Sequence, residues 1–326
     1  MQTRLLDAKS RIALVALAAI MLRASAFPET TVRFAAFGDI GSSSNAAAVA
    51  QLVRDRGADL ILMLGDLCYG SVPIATQVDA NYQAEKAAGK LRPALGNHEF
   101  DDSCGGTSAS AYRAYFSLPN NERYYDFKRG PVHFFALNSD NEPDGHDATS
   151  TQALWLKGKL AASTSSWQVV YFHHPPYSSG DHGSTKYMQW PFEAWGVDAV
   201  LAAHDHNYER IVRDVNGNGV KIPYFVVGLG GRSRRSFKSP ITGSEIRYNS
   251  AYGALFVTAT TTSLKFEFRR TDGTLIDNFT KIRVFEAHTN DASRFRVPPK
   301  KKAIPPSDRP RTPCGTPHGG TPRGAH

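Results

Sequence analysis

The chain has 326 residues, enough for one large α/β domain or two ordinary ones, and with 41% hydrophobic and 21% charged residues it can bury a sizeable core. This composition excludes a collagenous, coiled-coil or wholly disordered protein, and the absence of a long uncharged apolar run after the first 25 residues excludes a polytopic membrane protein. The net charge of +8 resides at the ends: residues 1–26 carry +3 and residues 293–326 carry +7, which leaves 27–292 at −2 and gives no argument for a nucleic-acid groove.

In chain order, residues 1–26 read as a secretory signal peptide. Arg4, Lys9 and Arg11 form its positive region, Ile12–Leu22 is an apolar run too short to span a bilayer, and Ala24-Ser25-Ala26 supplies the small residues of a cleavage site. Export, secreted or periplasmic, is the expected outcome, with an uncleaved anchor as the alternative. Strand-like runs then alternate with helical stretches. Val32–Phe37 ends in Gly38-Asp39 and precedes a helix expected over Asn45–Arg56. Leu60–Leu64 ends in Gly65-Asp66, Leu91–Leu95 precedes Gly96-Asn97-His98, and Val132–Leu137 precedes Asn138. Thr149–Ala162 has helical spacing of Leu154, Leu156 and Leu160 behind a Ser/Thr-rich start suited to capping. Val169–Phe172 runs into His173 and Val197–Ala203 into His204. Strands are expected at Ile222–Val227, Leu255–Ala259, Leu264–Phe268 and Leu275–Ile282, joined by turns such as Asp272-Gly273. The body, 27–290, is thus α/β passing into β as one domain. Residues 291–326 are a basic, Pro/Gly-rich tail with the run Lys300-Lys301-Lys302, too sparse in apolar residues to order; it reads as a solvated segment or as a contact for anionic surfaces.

Cys68, Cys104 and Cys314 can make at most one internal bridge, so no disulfide framework is implied and no bond is expected. The informative feature lies where the apolar runs stop. Five of them end in Asp39, Asp66, Asn97, His173 and His204, and in open α/β sheets functional groups gather at the carboxyl ends of strands. With Tyr69 and His206, these positions offer two carboxylates, one amide oxygen, three imidazoles and a phenol. Such a hard O/N set suits two oxygen-loving ions and not a thiolate zinc site. One aspartate can bridge both ions, and a hydroxide shared by ions about 3.5–4 Å apart is a good nucleophile for phosphate esters.

The blocks Gly38-Asp39-Ile40-Gly41, Gly65-Asp66-Leu67-Cys68-Tyr69, Gly96-Asn97-His98-Glu99, His173-His174-Pro175 and Ala203-His204-Asp205-His206 resemble, in order, those of the calcineurin-like metallophosphoesterase superfamily. Two details resemble its purple acid phosphatase branch, including the compact tartrate-resistant type. Position 41 is glycine where most members place a metal-binding histidine, and Tyr69 stands where the purple enzymes have a tyrosinate. The fold that this resemblance implies is a four-layer α/β/β/α sandwich with two mixed sheets. It further implies Fe3+ on Asp39, Tyr69, His206 and bridging Asp66, and a divalent ion (Fe2+, Zn2+ or Mn2+) on Asp66, Asn97, His173 and His204. A phenol with pKa about 10 becomes a ligand only if a strongly charged ion removes its proton, which favours the trivalent assignment. The resemblance also places His98 and, nine residues after His173, His182 against the substrate, while His174 and Glu99, next to expected ligands, are expected to orient them through hydrogen bonds.

The implied activity is acid phosphatase chemistry, hydrolysis of small phosphate monoesters by a metal-bound hydroxide. The rivals are phosphodiester or nucleotide hydrolysis at the same site and a non-catalytic anion-binding protein. Neither nucleic acid nor stable membrane insertion is required. Ala203, where the family has glycine, changes no ligand. The Gly228-Leu229-Gly230-Gly231 run departs from GxGxxG and is expected to be a close-packed turn near the site.

Overall fold

A computed structural model describes residues 30–283 except 105, 141–144, 216 and 218. The expected signal peptide 1–26 and tail 291–326 lie outside the described residues, as do both boundaries of the expected 27–290 domain. Four α-helices and thirteen strands make up the described chain. The helices are α1 (Ser44–Asp55), α2 (Ile74–Ala87), α3 (Ser110–Tyr115) and α4 (Thr151–Ala161). Through the first half the strands are β1 (Val32–Phe37), β2 (Leu60–Met63), β3 (Leu91–Pro93), β4 (Tyr125–Arg129), β5 (Val132–Ala136) and β6 (Trp167–Tyr171). The second half adds β7 (Ala199–Ala202), β8 (Tyr208–Arg213), β9 (Ile222–Val227), β10 (Ser244–Tyr248), β11 (Gly253–Ala259), β12 (Ser263–Arg270) and β13 (Leu275–Ile282).

The strands form two mixed sheets, ordered β13-β12-β11-β1-β2-β3 and β10-β8-β9-β7-β6-β5-β4. In the first, β1, β2 and β3 run parallel; in the second, β5, β6, β7 and β9 do. The continuous apolar runs of the parallel strands arise because both faces of each sheet are covered. In β5, β6, β7 and β9 alternate residues go to opposite faces. Phe134, Val169, Leu201 and Phe225 enter the core shared by the two sheets, whereas Phe135, Val170, Val200 and Val226 join Ala153, Leu156 and Leu160 of α4 outside. The sheets meet through Phe34 on Phe134 (ring centroids 5.1 Å), Phe225 on Phe266 (4.7 Å) and Tyr208 on Phe268 (3.9 Å). On the other face of the first sheet, Phe37 stacks on Tyr82 of α2. The α/β/β/α layering is the architecture expected.

Two sets of elements depart from the sequence reading. The helix expected over Thr149–Ala162 begins at Thr151, because the Ser150 hydroxyl accepts the Ala153 N–H (3.2 Å) and so fixes the N-cap. The sequence reading omitted α2, α3, β4, β8 and β10. In β8, Glu209 and Arg210 are buried, so polarity hides a strand whose charges are met by distant partners. Arg210 pairs with Asp277 of β13 (2.7 Å) and with Glu245 of β10.

Because β1–β3 and β5–β7 each run parallel, their carboxyl ends open on one edge of the double sheet. Asp39, Asp66 and Asn97 come after β1, β2 and β3, and His173 and His204 after β6 and β7.

Candidate metal centre

The turns leaving these strands are tight. Asp39, Asp66 and His204 all lie in the left-handed region, with φ of 58°, 56° and 65°. Non-glycine residues there cost on the order of 1–3 kcal/mol each, and three of them converge on one spot. Gly65 (φ 86°) has no such choice, since a Cβ would lie 2.7 Å from His173 Nδ1 and 2.9 Å from Gly96. The glycine run after β9 is also close-packed here: a Cβ on Gly228 would stand 2.7 Å from Asp39 Oδ2, and the Gly230 N–H donates to the Gly38 carbonyl (3.0 Å).

Six of the seven residues expected as ligands are brought together, and the seventh, Asn97, follows Gly96, which packs directly against Asp66. The Tyr69 hydroxyl lies 3.2 Å from Asp39 Oδ1 and 3.1 Å from Asp66 Oδ2. His206 Nε2 is 3.4 Å from Asp39 Oδ1, and His173 Nε2 is 3.3 Å from Asp66 Oδ2. His204 Nδ1 stands 3.2 Å from His173 Nε2. Donor atoms of Asp39, Asp66 and His173 lie within 4.8 Å of one another, as do those of His173, His174 and His204. Backbone carbonyls orient two of the rings: Leu64 O accepts from His173 Nδ1 (2.8 Å) and Ser233 O from His206 Nδ1 (2.6 Å), which leaves each Nε2 facing the carboxylates. Asn97 Oδ1 is buried with no hydrogen-bond partner among the described residues. A buried acceptor without a donor is unfavourable in a protein alone and is the arrangement a cation would satisfy. The donor set therefore fits an ion pair.

Electrostatics give the same result. Burial alone would raise the Asp66 carboxyl, but His173 and His98 beside it hold it below the ordinary carboxylate range. Burial would lower His173, yet Asp66 overrides it and pushes the imidazole up to about 10. His204 is driven below its ordinary value by burial and by the His173 charge. Burial and the charges of Asp39 and Asp66 push the Tyr69 phenol well above its usual range, so it gives up its proton only to a strong Lewis acid.

His98 and His182 also reach the site. The His98 N–H donates to Asp66 Oδ1 (3.0 Å), its Nδ1 is held by Asp101 Oδ2 (2.6 Å), and its ring lies 4.4 Å from that of Tyr69. The exposed His182 ring sits 4.2 Å from that of His204. Its loop is fixed by Asp205, whose carboxylate accepts from the His182 N–H (2.8 Å) and the Ser178 hydroxyl (2.5 Å). Glu209 holds the same loop through the Ser179 N–H (2.7 Å) and hydroxyl (2.6 Å). Buried Glu99 is the counterpart on the other side: it accepts N–H bonds from Asp66, Leu67, Cys68 and Gly96 at 2.6–3.1 Å. It thereby ties the turn after β2 to the turn after β3. His174 is fixed by the Ser139 hydroxyl, which stands 3.0 Å from its Nδ1.

Sequence reasoning missed Asp101, Asp205 and Glu209. All three are acids one to three positions from an expected ligand or from His98, which was the available signal. The expectation of no disulfide is corrected: Cys68 and Cys104 are bonded across 36 residues. Both half-cystines are buried, and the bond anchors the segment between Asp66 and Tyr69 to the loop after Asn97, a proximity that only the folded turns create.

Comparison with known proteins agrees with this geometry. The sequence model of the family described as Calcineurin-like phosphoesterase matches residues 32–208, more than half of the chain and all five blocks. Purple acid phosphatase 22 of Arabidopsis thaliana is 31% identical over 252 residues, covering 69% of this chain and 56% of that protein. Tartrate-resistant acid phosphatase type 5 of Rattus norvegicus is 28% identical over 249 residues, covering 62% of this chain and 73% of that protein. The chain spans about half the length of the plant relatives, 46% for purple acid phosphatase 15. The solved purple acid phosphatase from yellow lupin (Lupinus luteus) seeds superposes with a TM-score of 0.65 at 22% identity, covering 77% of this chain and 54% of that one, a likeness of fold. Two mixed sheets that deliver Asp39, Asp66, Asn97, His173, His204 and His206 to one edge, in the order the family requires, leave one assignment: the chain belongs to the calcineurin-like phosphoesterase family.

Proposed function

We propose that this chain is a two-ion acid phosphatase that hydrolyses phosphate monoesters. The carrying observation is the convergence of Asp39, Asp66, Tyr69, His173, His204 and His206, in which the Tyr69 phenol faces two carboxylates, together with an Asn97 Oδ1 that is buried without a donor. Asp39, Asp66, Tyr69 and His206 would hold Fe3+, and Asp66, Asn97, His173 and His204 a divalent ion, Fe2+, Zn2+ or Mn2+. When bound, such a pair lowers the pKa of water and offsets charge on the phosphoryl oxygens. The chain's own residues do the rest. Asp39 and Asp66 fix the two ligand sets relative to each other through strained turns. Asp101 holds His98 Nδ1, which turns Nε2 toward the site to stabilise the phosphoryl group or give a proton to the leaving oxygen. His182, on a loop pinned by Asp205 and Glu209, lines the same opening.

The names of the relatives support acid phosphatase chemistry. The buried Cys68–Cys104 bond supports export, since such bonds persist in oxidising compartments. The basic tail is assigned a contact role toward anionic surfaces, separate from the reaction.

The Fe3+ assignment is tested by colour. A phenolate on Fe3+ gives a visible charge-transfer band, so the purified metal-loaded protein is expected to be pink or purple, and Tyr69→Phe to lose the band while retaining bound metal and part of its activity. A colourless, fully active wild-type protein containing zinc or manganese without iron would overturn the Fe3+–Tyr69 assignment.

A further inference from the structure

The loop after β9 carries four cations and no acid between Gly228 and Lys238: Arg232, Arg234, Arg235 and Lys238. Three of them are committed. Arg234 donates to the Asn249 carbonyl (2.9 Å) and to that of Ser250. Arg235 pairs with Asp181 (3.5 Å), and Lys238 donates to the Asp181 carbonyl. Arg232 differs: among the described residues no carboxylate lies within ion-pair distance of its guanidinium, which rests 4.6 Å from the centroid of the Tyr69 ring. Its backbone is fixed, since the Arg232 N–H donates to the Asp39 carbonyl (2.9 Å) and Gly41 lies against its side chain. An exposed cation is thereby held one aromatic ring away from the carboxylates of the site. It also lines a cavity of about 320 Å³ with Gly41, Ser42, Asn45, Gly231 and Tyr252, which starts two residues beyond Asp39.

We propose that Arg232 determines specificity by receiving a second phosphoryl group, so that the substrates are phosphate esters carrying another phosphate a few bonds from the scissile one. This rests on the phosphatase reading above. A planar guanidinium with all its donors available suits a phosphoryl oxygen pair, and a neutral remainder of the substrate would leave it without a partner.

The test uses a matched pair, propyl phosphate and propane-1,3-diol bisphosphate, with metal-loaded wild type, Arg232→Gln and Arg232→Lys at fixed pH and ionic strength. Wild type is expected to favour the bisphosphate by about tenfold or more in kcat/KM, mostly through KM. Arg232→Gln is expected to lose that preference while changing propyl phosphate by less than about twofold, and Arg232→Lys to recover part of it. Calorimetric binding of methylenebisphosphonate should weaken by about tenfold in Arg232→Gln. Equal losses on both substrates, no preference in wild type, or unchanged bisphosphonate affinity in the variant would each overturn the proposal. Failure of wild type to hydrolyse propyl phosphate would count against the phosphatase reading itself, and the calorimetry then decides the fate of Arg232 separately.

Discussion

Asp66→Asn is expected to abolish stable binding of at least one ion and to lower kcat/KM for p-nitrophenyl phosphate by about 10³-fold or more, the scale of losing a preorganised charged group. The substitution isolates the charge. Asp66 has φ 56°, a conformation that asparagine tolerates better than most residues, so the turn after β2 should persist. Its oxygens accept from the His98 N–H and meet His173 and Tyr69, and in the proposed centre a carboxylate would neutralise charge that an amide cannot. The metal-free protein offers an independent readout. Asp66 is held below the ordinary carboxylate range, so its contribution to stability is present above about pH 4 and lost as pH falls. His173 is pushed up to about 10, so its contribution is complete below its ordinary value and lost as pH rises toward about 10. The melting temperature of metal-free wild type should therefore fall at both ends of this window, and that of Asp66→Asn should be flatter. Wild-type turnover by the metal-loaded variant would refute the role proposed for Asp66.

Glu99→Gln is expected to produce the largest loss of stability. The four N–H groups that converge on this buried carboxylate come from two separate turns, one bearing Asp66 and the other Asn97. Burial and the Asp66 charge push the Glu99 carboxyl upward, and the four donors pull against them. Glutamine keeps the shape but presents NH2 to two of the donors, so two buried N–H groups lose their acceptor. At about 1.5 kcal/mol for each buried donor left without an acceptor, the cost is about 3 kcal/mol. For a domain of this size that is a fall in Tm on the order of 6–12 °C. Because the two turns carry ligands, activity should fall with it, by about 10²-fold. A variant melting within about 2 °C of wild type would show that the carboxylate is not the tie between the turns.

The site was legible in sequence to the extent that five of the seven proposed ligands come directly after an apolar run. Strands buried on both faces leave little choice of where a polar side chain can emerge, so Asp39, Asp66, Asn97, His173 and His204 announce the edge at which they meet. Tyr69 and His206 are found from their spacing to those residues. The groups that hold the ligands in place were less visible, because Asp205, Glu209 and Asp101 act on loops whose proximity depends on the completed fold. Cys68 and Cys104 are likewise far apart in sequence and come together only once the turns after β2 and β3 are formed. In the fold, β8 escaped notice because its Glu209 and Arg210 are buried against partners from β10, β13 and the Ser178–Ser179 loop. The helix α2 carries non-helical backbone at Tyr82, which blurs its periodicity.

The most direct measurement of the central claim is activity as a function of bound metal, with the chelated protein reloaded stepwise and the ions counted by elemental analysis. Two ions per chain are expected at full p-nitrophenyl phosphate turnover, with little activity until the second site fills. Full activity at one ion per chain or none would contradict the account.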